Sequence, residues 1–319
     1  MAKTPFIARM LPIVATVLSA NAVNGQVFPG KPVRIVTASA GSNSDFLARL
    51  IAQGVSGPLG QPVVVDNRGS GFLAADAVSK APPDGYTLLL NTSAWYTVTL
   101  FEKQTYDPEK DFAPITITSS TPNLLAVHPS LPAKSVRELI TLAKARPGEL
   151  NYGNAGIGGG GQFAAEQLKS MAGVRITSVP YKGSARAVTA LVGGEVQLVF
   201  SDFPPLEPHV KSGRLRALAV TSAQPSELFP GMPTMAETLP DFVVIANIGV
   251  LAPARTPAAI INRLNMEIVR LLKTPEAKER IFRSGSEVVG SSPDELAAWI
   301  KSDMMRWVKV IKEAGLKTH

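Results

Sequence analysis

The chain has 319 residues, no cysteine and a net charge of +7. The absence of cysteine excludes disulfides, thiolate metal ligands and a cysteine nucleophile. Its 45% hydrophobic and 18% charged residues are typical of a globular protein, and the length suits two lobes better than one simple core. The basic residues are scattered along the chain without a dense run, so the positive charge does not predict nucleic-acid binding.

Residues 1–25 have the pattern of an export signal. A basic start is followed by the apolar stretch MLPIVATVLSA, which is too short to span a bilayer. The tripeptide Ala20-Asn21-Ala22 then fits a small-x-small cleavage site. We predict a signal peptide over 1–22, cleaved near Ala22, and an exported mature protein. The alternative is a mobile N-terminus on a cytosolic protein.

Strand-like runs alternate with helical patterns along the rest of the chain. Runs of β-branched and apolar residues predict strands at 32–38, 62–66, 87–93, 113–119, 123–129, 150–154, 176–181, 196–202, 216–222 and 242–254. Stretches with apolar residues on one helical face lie between many of these strands, and Ser-Pro or Thr-Pro pairs mark helix starts in the last third. This rhythm predicts an α/β fold, with a parallel sheet flanked by helices.

Two places where strands end in turns containing proline and serine predict crossings between two lobes. They lie near 119–126 and near 217–223. A chain that leaves one lobe, builds a second and returns makes the first lobe discontinuous. The predicted domains are therefore residues 26–122 with 219–319 for lobe 1, and 123–218 for lobe 2.

Two glycine-bearing turns carry the strongest functional signal. TASAGSNSD at 37–45 and GNAGIGGGG at 153–161 each lie between a strand and a helix start. Backbone N–H groups at such turns, together with the positive end of the helix dipole, attract anions. Two such turns facing each other across a cleft would bind an anion, often a carboxylate.

The second turn also contains Gly156, Gly158 and Gly161 in the G-x-G-x-x-G spacing of a dinucleotide site. That fingerprint requires an acidic residue about twenty positions further on. The next strand ends instead in Tyr181 and Lys182. A nucleotide-dependent oxidoreductase is thus the alternative function. For the turn itself, the alternative to a site that binds a carboxylate through backbone N–H groups is a flexible surface turn.

Three positions have two interpretations each. Asp45 stands at a helix start and is assigned a mainly structural role, although its turn is expected to bind ligand as well as to cap the helix. Asp202 ends a strand at the expected cleft edge, where it either accepts a hydrogen bond from ligand or water or caps the next segment. Trp95 follows a strand end, where it either stacks on a ring-bearing ligand or serves lobe packing.

The sequence lacks recognisable catalytic machinery. His128, His209 and His319 have no metal-ligand spacing among them. No G-x-S-x-G elbow is present. We predict a binding protein rather than an enzyme, without a metal or a cofactor.

Many ordered blocks of the chain resemble one family. They include KPVRIV, LGQPVVVDNRGSG, APPDGYTLLLNTS, YDPEKDFAPIT, HPSLPAKSVRELITLAKARPGELNYGNAG, VPYKGSARAV, LRALAVTS and WVKVIKEAG. From about residue 28 to residue 316, the chain resembles the substrate-binding proteins of tripartite tricarboxylate transporters, the Bug-type receptors. The resemblance implies a two-lobed periplasmic-binding-protein type II (venus flytrap) fold. It also implies a periplasmic receptor that closes on a small carboxylate and hands it to a membrane permease.

The resemblance implies ligand contacts from both glycine turns, from strand ends and from the VPYKGS turn, with water often bridging. With Trp95 added from its position, the candidate ligand-binding residues are Ser39, Ala40, Gly41, Ser42, Asn43, Ser44, Asp45, Thr92, Ser93, Trp95, Asn154, Ala155, Gly156, Ile157, Gly158, Gly159, Gln162, Tyr181, Gly183, Ser184 and Asp202.

The first turn departs from the family's usual Pro-Phe-Pro-Ala-Gly-Gly, since 37–43 reads TASAGSN. This difference at the expected pocket puts the usual dicarboxylate in doubt and makes a more polar, larger or aromatic carboxylate a hypothesis. The expected partners are the ligand and permease subunits. A receptor that presents its ligand to a sensor kinase is the alternative.

Overall fold

The structure is a computed structural model that describes residues 28–156 and 159–315. The predicted signal peptide and its cleavage site at Ala22 lie outside these residues, as do Ile157 and Gly158 of the second glycine turn. Within the described residues, no helix combines the length and the apolar composition needed to cross a membrane.

The described strands are β1 (Val33–Thr37), β2 (Val63–Asn67), β3 (Thr87–Thr92), β4 (Phe112–Pro122), β5 (Leu124–Val127), β6 (Asn151–Asn154), β7 (Thr177–Pro180), β8 (Leu198–Ser201), β9 (Arg216–Val220), β10 (Ile245–Pro253) and β11 (Glu287–Val288). The described helices are α1 (Asn43–Leu59), α2 (Gly71–Ser79), α3 (Ala94–Thr97), α4 (Val136–Ala145), α5 (Gly160–Ala172), α6 (Ser184–Val192), α7 (Phe203–Lys211), α8 (Ala258–Leu272), α9 (Pro275–Arg283) and α10 (Pro293–Ala314).

The strands form two sheets, one at the centre of each lobe. One sheet has the order β11-β4-β10-β3-β1-β2, and the other has the order β7-β6-β8-β5-β9. Most strands joined through helices run parallel, as β1 does with β2 and β3, and β6 with β7 and β8, whereas β5 and β6, joined through α4, run in opposite directions. The α/β two-lobed prediction is confirmed. The sheets are mixed rather than wholly parallel, because β4, β5, β9 and β10, which lead the chain between lobes, pair antiparallel.

Helices cover both faces of each sheet. In the first lobe, α1, α8 and α9 pack on one face, while α2, α3 and the first half of α10 pack on the other. In the second lobe, α4, α5 and the last turns of α10 cover one face, and α6 and α7 cover the other. Helix α1 buries Leu47, Leu50 and Ile51 on a single stripe, as its sequence spacing predicts.

Two crossing segments meet at one buried threonine. Thr221 follows β9 and is fully buried. Its hydroxyl accepts a hydrogen bond from the Asn123 N–H at 2.8 Å and donates to the Val244 carbonyl at 2.6 Å. Asn123 lies between β4 and β5, and Val244 directly precedes β10. Because β9 extends to Val220, the predicted lobe boundary at 218/219 would fall inside a strand, and we propose Thr221 as the crossing point.

Helix α10 spans the two cores. Leu296 and Ile300 near its start belong to the core of the first lobe. Trp307 and Ile311, further along the same helix, belong to the core of the second lobe. We therefore propose that the end of α10 belongs with lobe 2, although the sequence assigned it to lobe 1.

A buried carboxylate holds the middle of α10. The side chain of Asp303 accepts hydrogen bonds from the Tyr96 hydroxyl at 2.8 Å and from the Trp307 ring N–H at 2.9 Å. Arg306 lies 3.3 Å from its other oxygen. Burial raises the pKa of Asp303 above its ordinary value, although the two hydrogen bonds and the Arg306 charge act in the opposite direction. The carboxylate thus ties α3 to α10 where the helix passes between the lobes.

We predict that Tyr96→Phe destabilises the protein by about 1–3 kcal/mol, because a buried carboxylate loses one of its donors. Tyr86→Phe is the matched control, since the Tyr86 hydroxyl accepts from the Gly30 N–H at an exposed site. Urea unfolding followed by far-UV circular dichroism measures both variants. Equal losses of unfolding free energy in the two variants would contradict a special role for the Asp303 contact.

Candidate ligand-binding site

A cavity of about 300 Å³ lies between the two lobes. Residues of both lobes line it, namely Asn43, Thr92, Thr121, Asn123, Ala155, Gly156, Gly159, Gly160, Gly161, Gln162, Ser184, Phe200, Ser201, Asp202, Ala246 and Ile248. A larger surface groove of about 640 Å³ lies beside α9 and β11. None of the predicted ligand-binding residues lines that groove, so the smaller cavity is the candidate site.

The second glycine turn brings the N-terminus of α5 into the cavity. Gly159 is the N-cap residue of α5, and having no side chain it cannot cap the helix. The first N–H groups of an α-helix have no partner within the helix. In the described part of the chain, the N–H groups of Gly160 and Gly161 donate to no acceptor. They are therefore available to an anion in the cavity.

Glycine is required at the start of α5 because the backbone approaches its neighbours closely. A Cβ at Gly161 would collide with the carbonyl oxygen of Phe200 at the end of β8. A Cβ at Gly160 would lie 3.0 Å from the Asn123 side-chain amide nitrogen. These contacts seat α5 directly on the sheet and leave room in front of its N-terminus. The turn ahead of the helix is supported from below, since the Asn154 side chain accepts a hydrogen bond from the Gly156 N–H at 3.0 Å.

The first turn uses most of its polar groups to cap α1. The Ser42 hydroxyl accepts from the Asp45 N–H at 3.2 Å, and the Asp45 carboxylate accepts from the Gly41 N–H at 2.9 Å. The other Asp45 oxygen is bound by Asn67 at 2.9 Å and Arg49 at 3.0 Å. Ser42 and Asp45 therefore act as capping residues in this structure, and neither lines the cavity.

Asn43 is the residue of this turn that lines the cavity. Its side-chain amide donates to the Ser286 hydroxyl at 3.0 Å, and that hydroxyl lies 2.7 Å from the Thr121 hydroxyl. This chain of contacts orients the Asn43 side chain. Ser39 and Ala40 are exposed on the outer part of the turn, and the Ser39 hydroxyl donates to the Gly69 carbonyl.

Trp95 does not reach the cavity. Its side chain is 2% exposed and packs against the rings of Tyr96, Tyr106 and Phe112, with centroids 4.7 to 6.1 Å apart. The predicted ligand contact of Trp95 is corrected, because the short helix α3 turns this ring into the core of the first lobe. Of the two interpretations of Trp95, packing is the one that matches its place in the structure.

In the second lobe, Ser184 lines the cavity at the start of α6. Its N-cap residue, Gly183, has a φ of +96° and leaves the helix start without a side-chain cap. The Tyr181 side chain points elsewhere, because its hydroxyl donates to Glu195 at 3.3 Å and its ring packs against the core beneath α6 and α7. The VPYKGS turn therefore meets the cavity through Ser184.

The predicted set divides into three groups. The predicted residues that line the cavity are Asn43, Thr92, Ala155, Gly156, Gly159, Gln162, Ser184 and Asp202. Those that lie outside the lining are Ser39, Ala40, Gly41, Ser42, Ser44, Asp45, Ser93, Trp95, Asn154, Tyr181 and Gly183. Ile157 and Gly158 lie outside the described residues.

Sequence reasoning missed the floor of the cavity. Thr121, Asn123 and Ala246 lie on the segments that cross between the lobes, and Ile248 follows on β10. The predicted crossing at 119–126 could have indicated these residues, because strands that pass between two lobes must run beneath the cleft. Within the described residues, no group of three or more His, Asp or Glu side chains could hold a metal ion.

Two lobes, a cleft between them and helix N-termini facing that cleft define a solute-binding protein. Residues 47–316 match the family described as tripartite tricarboxylate transporter family receptor, TctC. The chain belongs to this family.

Three relatives illustrate the match. Protein BugT of Bordetella pertussis is 35% identical over 311 residues, covering 95% of this chain and 95% of that protein. The structure of R. palustris Rpa4515 with adipate is 38% identical with a TM-score of 0.73, covering 92% of this chain and 100% of that chain. MatC from Rhodopseudomonas palustris with bound malate is 31% identical with a TM-score of 0.69, covering 89% of this chain and 100% of that chain.

Family membership resolves two of the sequence predictions. The resemblance to Bug-type receptors is confirmed. Members of this family are substrate-binding proteins, so the prediction that the chain is not an enzyme is also confirmed. The rival oxidoreductase suggested by the G-x-G-x-x-G spacing is thereby excluded.

We predict that Asp45→Asn destabilises the fold in a pH-dependent way. Burial raises the pKa of Asp45, but hydrogen bonds from Gly41, Asn67 and Arg49 outweigh it and hold the pKa below the ordinary value of 3.8. A carboxyl with a lowered folded pKa adds stability above its unfolded pKa and loses it as the pH falls through the folded pKa. The variant should therefore lose about 1–2 kcal/mol at pH 7 and progressively less below about pH 4.

Urea unfolding at several pH values measures this difference. Glu279→Gln is the control, because its 2.6 Å ion pair with Arg283 is exposed and should contribute little. A loss for Asp45→Asn that stays constant from pH 7 to pH 3 would contradict the electrostatic explanation.

Proposed function

We propose that the protein is a periplasmic receptor that captures a small carboxylate between its two lobes and delivers it to a tripartite tricarboxylate-type permease. One observation carries the proposal. The uncapped start of α5 faces, across the cavity, the Asn43 side chain at the start of α1 in the other lobe.

A carboxylate suits this arrangement better than a cation or an apolar molecule. Free N–H groups at a helix start bind anions, and the helix dipole adds a partial positive charge there. The starts of α5 and α6 both reach the cavity without a side-chain cap. Two relatives of known structure were solved with adipate and with malate, which are both dicarboxylates. Their ligands support the class of molecule, while the different first turn leaves the particular acid open.

Ligand capture would proceed by a shift between open and closed forms. A ligand that contacts both lobes binds the closed form better and so increases its population. We place the hinge in the two crossing segments that meet at Thr221. The Thr221 hydrogen bonds to Asn123 and Val244 keep these segments in register while the lobes rotate.

The proposed location follows from the predicted signal peptide at 1–22 and from the family. A receptor coupled to a sensor kinase would bind ligand in the same way. Affinity capture of membrane partners with liganded protein separates the two roles, since the transport role predicts permease subunits in the captured fraction.

We predict that the protein binds small carboxylates at micromolar or tighter dissociation constants. Native mass spectrometry of gently purified protein should show a retained solute. Isothermal titration with adipate, malate, succinate and benzoate then ranks the aliphatic and aromatic classes. The proposal fails if no solute is retained and no carboxylate gives heat.

We predict that Gly159→Val weakens carboxylate binding by about 10- to 100-fold. Gly159 has a φ of −78°, and among the described residues its Cβ would meet only the Gly156 carbonyl oxygen, at 3.5 Å, so the fold should accept a side chain. A valine methyl at an N-cap lies where a capping hydroxyl normally bonds, and it would cover the free N–H groups of α5.

Gly193→Val is the matched control. Gly193 is exposed at the end of α6, has a φ of −77° and meets only ordinary contacts, and it does not line the cavity. Titration should show unchanged affinity for this variant. Unchanged affinity in the Gly159→Val variant would contradict carboxylate binding by the free N–H groups at the start of α5.

A further inference from the structure

Glu287 joins the two lobes outside the binding cavity. Its backbone belongs to the first lobe, because β11 pairs with β4 and Glu287 lies opposite Ser120. Its side chain reaches the second lobe, where it accepts a hydrogen bond from the Ser226 hydroxyl at 2.6 Å and another from the Leu228 N–H at 3.3 Å. The Leu228 side chain packs in the core of that lobe. This contact therefore connects the lobes separately from the two crossing segments that meet at Thr221.

The Glu287 carboxylate is bonded to the second lobe alone. Within residues 28–156 and 159–315, the hydrogen bonds that its side chain accepts come from Ser226 and Leu228, and it forms no ion pair. Both donor residues are buried. A hydrogen bond to a charged acceptor is stronger than one between neutral groups. The contact therefore favours the lobe arrangement of this structure over any in which Glu287 and Ser226 move apart.

The two preceding residues connect this contact to the cavity. Ser286 is fully buried, and its hydroxyl accepts from the Asn43 side-chain amide at 3.0 Å and lies 2.7 Å from the Thr121 hydroxyl. Asn43 and Thr121 both line the cavity. Gly285 lies against the second lobe, since it has a φ of +80° and a Cβ there would be 3.1 Å from the Pro204 ring. This short segment thus contacts the cavity wall and the second lobe at the same time.

We infer that Glu287 is a latch: its bonds to Ser226 and Leu228 stabilise the closed arrangement of the lobes and thereby raise the affinity for a ligand that it does not touch. Glu287 is not among the described residues that line the cavity. The inference rests on the proposed function, since the latch adjusts the closure by which a ligand is captured. The apparent dissociation constant rises as the binding-competent fraction of the free protein falls. Loss of the latch therefore weakens every ligand by the same factor, whereas loss of a ligand contact changes their order.

Ser226→Ala tests the latch, because it removes one donor and leaves the pairing of β11 with β4 in place. Isothermal titration at pH 7 should show succinate, malate and adipate each binding about 3- to 10-fold more weakly, in an unchanged order. Glu287→Gln should act in the same direction, because a neutral amide oxygen is a weaker acceptor than a carboxylate. The double variant should weaken binding by less than the product of the two single effects, since both changes affect one contact.

Ser284→Ala is the matched control. It removes a serine hydroxyl close to the same segment, but that hydroxyl donates to the Ile281 carbonyl at 2.7 Å, within the first lobe. Ser284 is also absent from the described lining of the cavity. Its affinity for the three acids should equal that of the wild-type protein.

Lobe closure can be measured directly, because the chain has no native cysteine to compete for labels. Gln53→Cys in α1 and Lys144→Cys in α4 place one exposed fluorophore site in each lobe. Single-molecule energy transfer in this labelled background then reports the closed fraction. The two latch variants should need about 3- to 10-fold more malate to close half of the molecules, and should reach the wild-type transfer efficiency at saturation.

The outcomes separate the latch from the proposed function, with circular dichroism confirming the fold of each variant. Unchanged affinity or unchanged closure in Ser226→Ala and Glu287→Gln would overturn the latch while the receptor function stands. A weakening that differs among the three acids would also overturn it, because the effect would then act through the cavity. Failure of every carboxylate to bind the wild-type protein would overturn both.

Discussion

The binding cleft depends on one close contact, between the start of α5 and the end of β8. The Phe200 carbonyl oxygen occupies the space that a side chain at Gly161 would need. Because the backbone itself makes this contact, the helix start is held at a fixed place, and its N–H groups stay free for a ligand. The glycines therefore serve packing and recognition together. A larger residue at this point would move the helix start, and with it the free N–H groups of Gly160 and Gly161.

The connection between the lobes relies on buried polar groups that are bonded in several directions. Thr221 joins both crossing segments, and Asp303 joins α3 to α10. Such groups favour one arrangement of the connecting segments over others. If a neighbouring segment shifts, the polar group loses its hydrogen-bond partners but remains buried, which costs free energy. Movement of the lobes is therefore expected to come from small backbone rotations on either side of Thr221. Because helix α10 contributes residues to both cores, separation of the lobes would have to preserve both sets of contacts or break one of them.

Local patterns in the sequence predicted the fold well, because strands and helix starts are set by neighbouring residues. Thr274 and Ser292, which stand in the Thr-Pro and Ser-Pro pairs that marked helix starts, accept from the Ala277 N–H and the Glu295 N–H. The second glycine turn was identified for the same reason. The position of Trp95 could not be predicted, because its burial depends on Tyr106 and Phe112, which come from later in the chain. The cavity floor was missed because it forms when distant crossing strands meet. The prolines at 204 and 205, in contrast, are visible in the sequence, and they leave the second and third residues of α7 without an N–H that could donate to the Asp202 side chain.

The proposed recognition by backbone amides would also explain how a receptor can bind an acid and still release it. A Lys or Arg in the cavity would form a strong ion pair with a carboxylate, and differences in affinity between related complexes arise mostly from slower release. Neutral amides with a partial dipole charge bind the same group more weakly and exchange it readily with water. In such a pocket the backbone sets the class of ligand. Among the described residues that line the cavity, Asp202 is the sole ionisable side chain, so no Lys or Arg there would hold the acid in an ion pair. Side chains around the cavity can therefore differ without disturbing the glycine contact that builds the cleft.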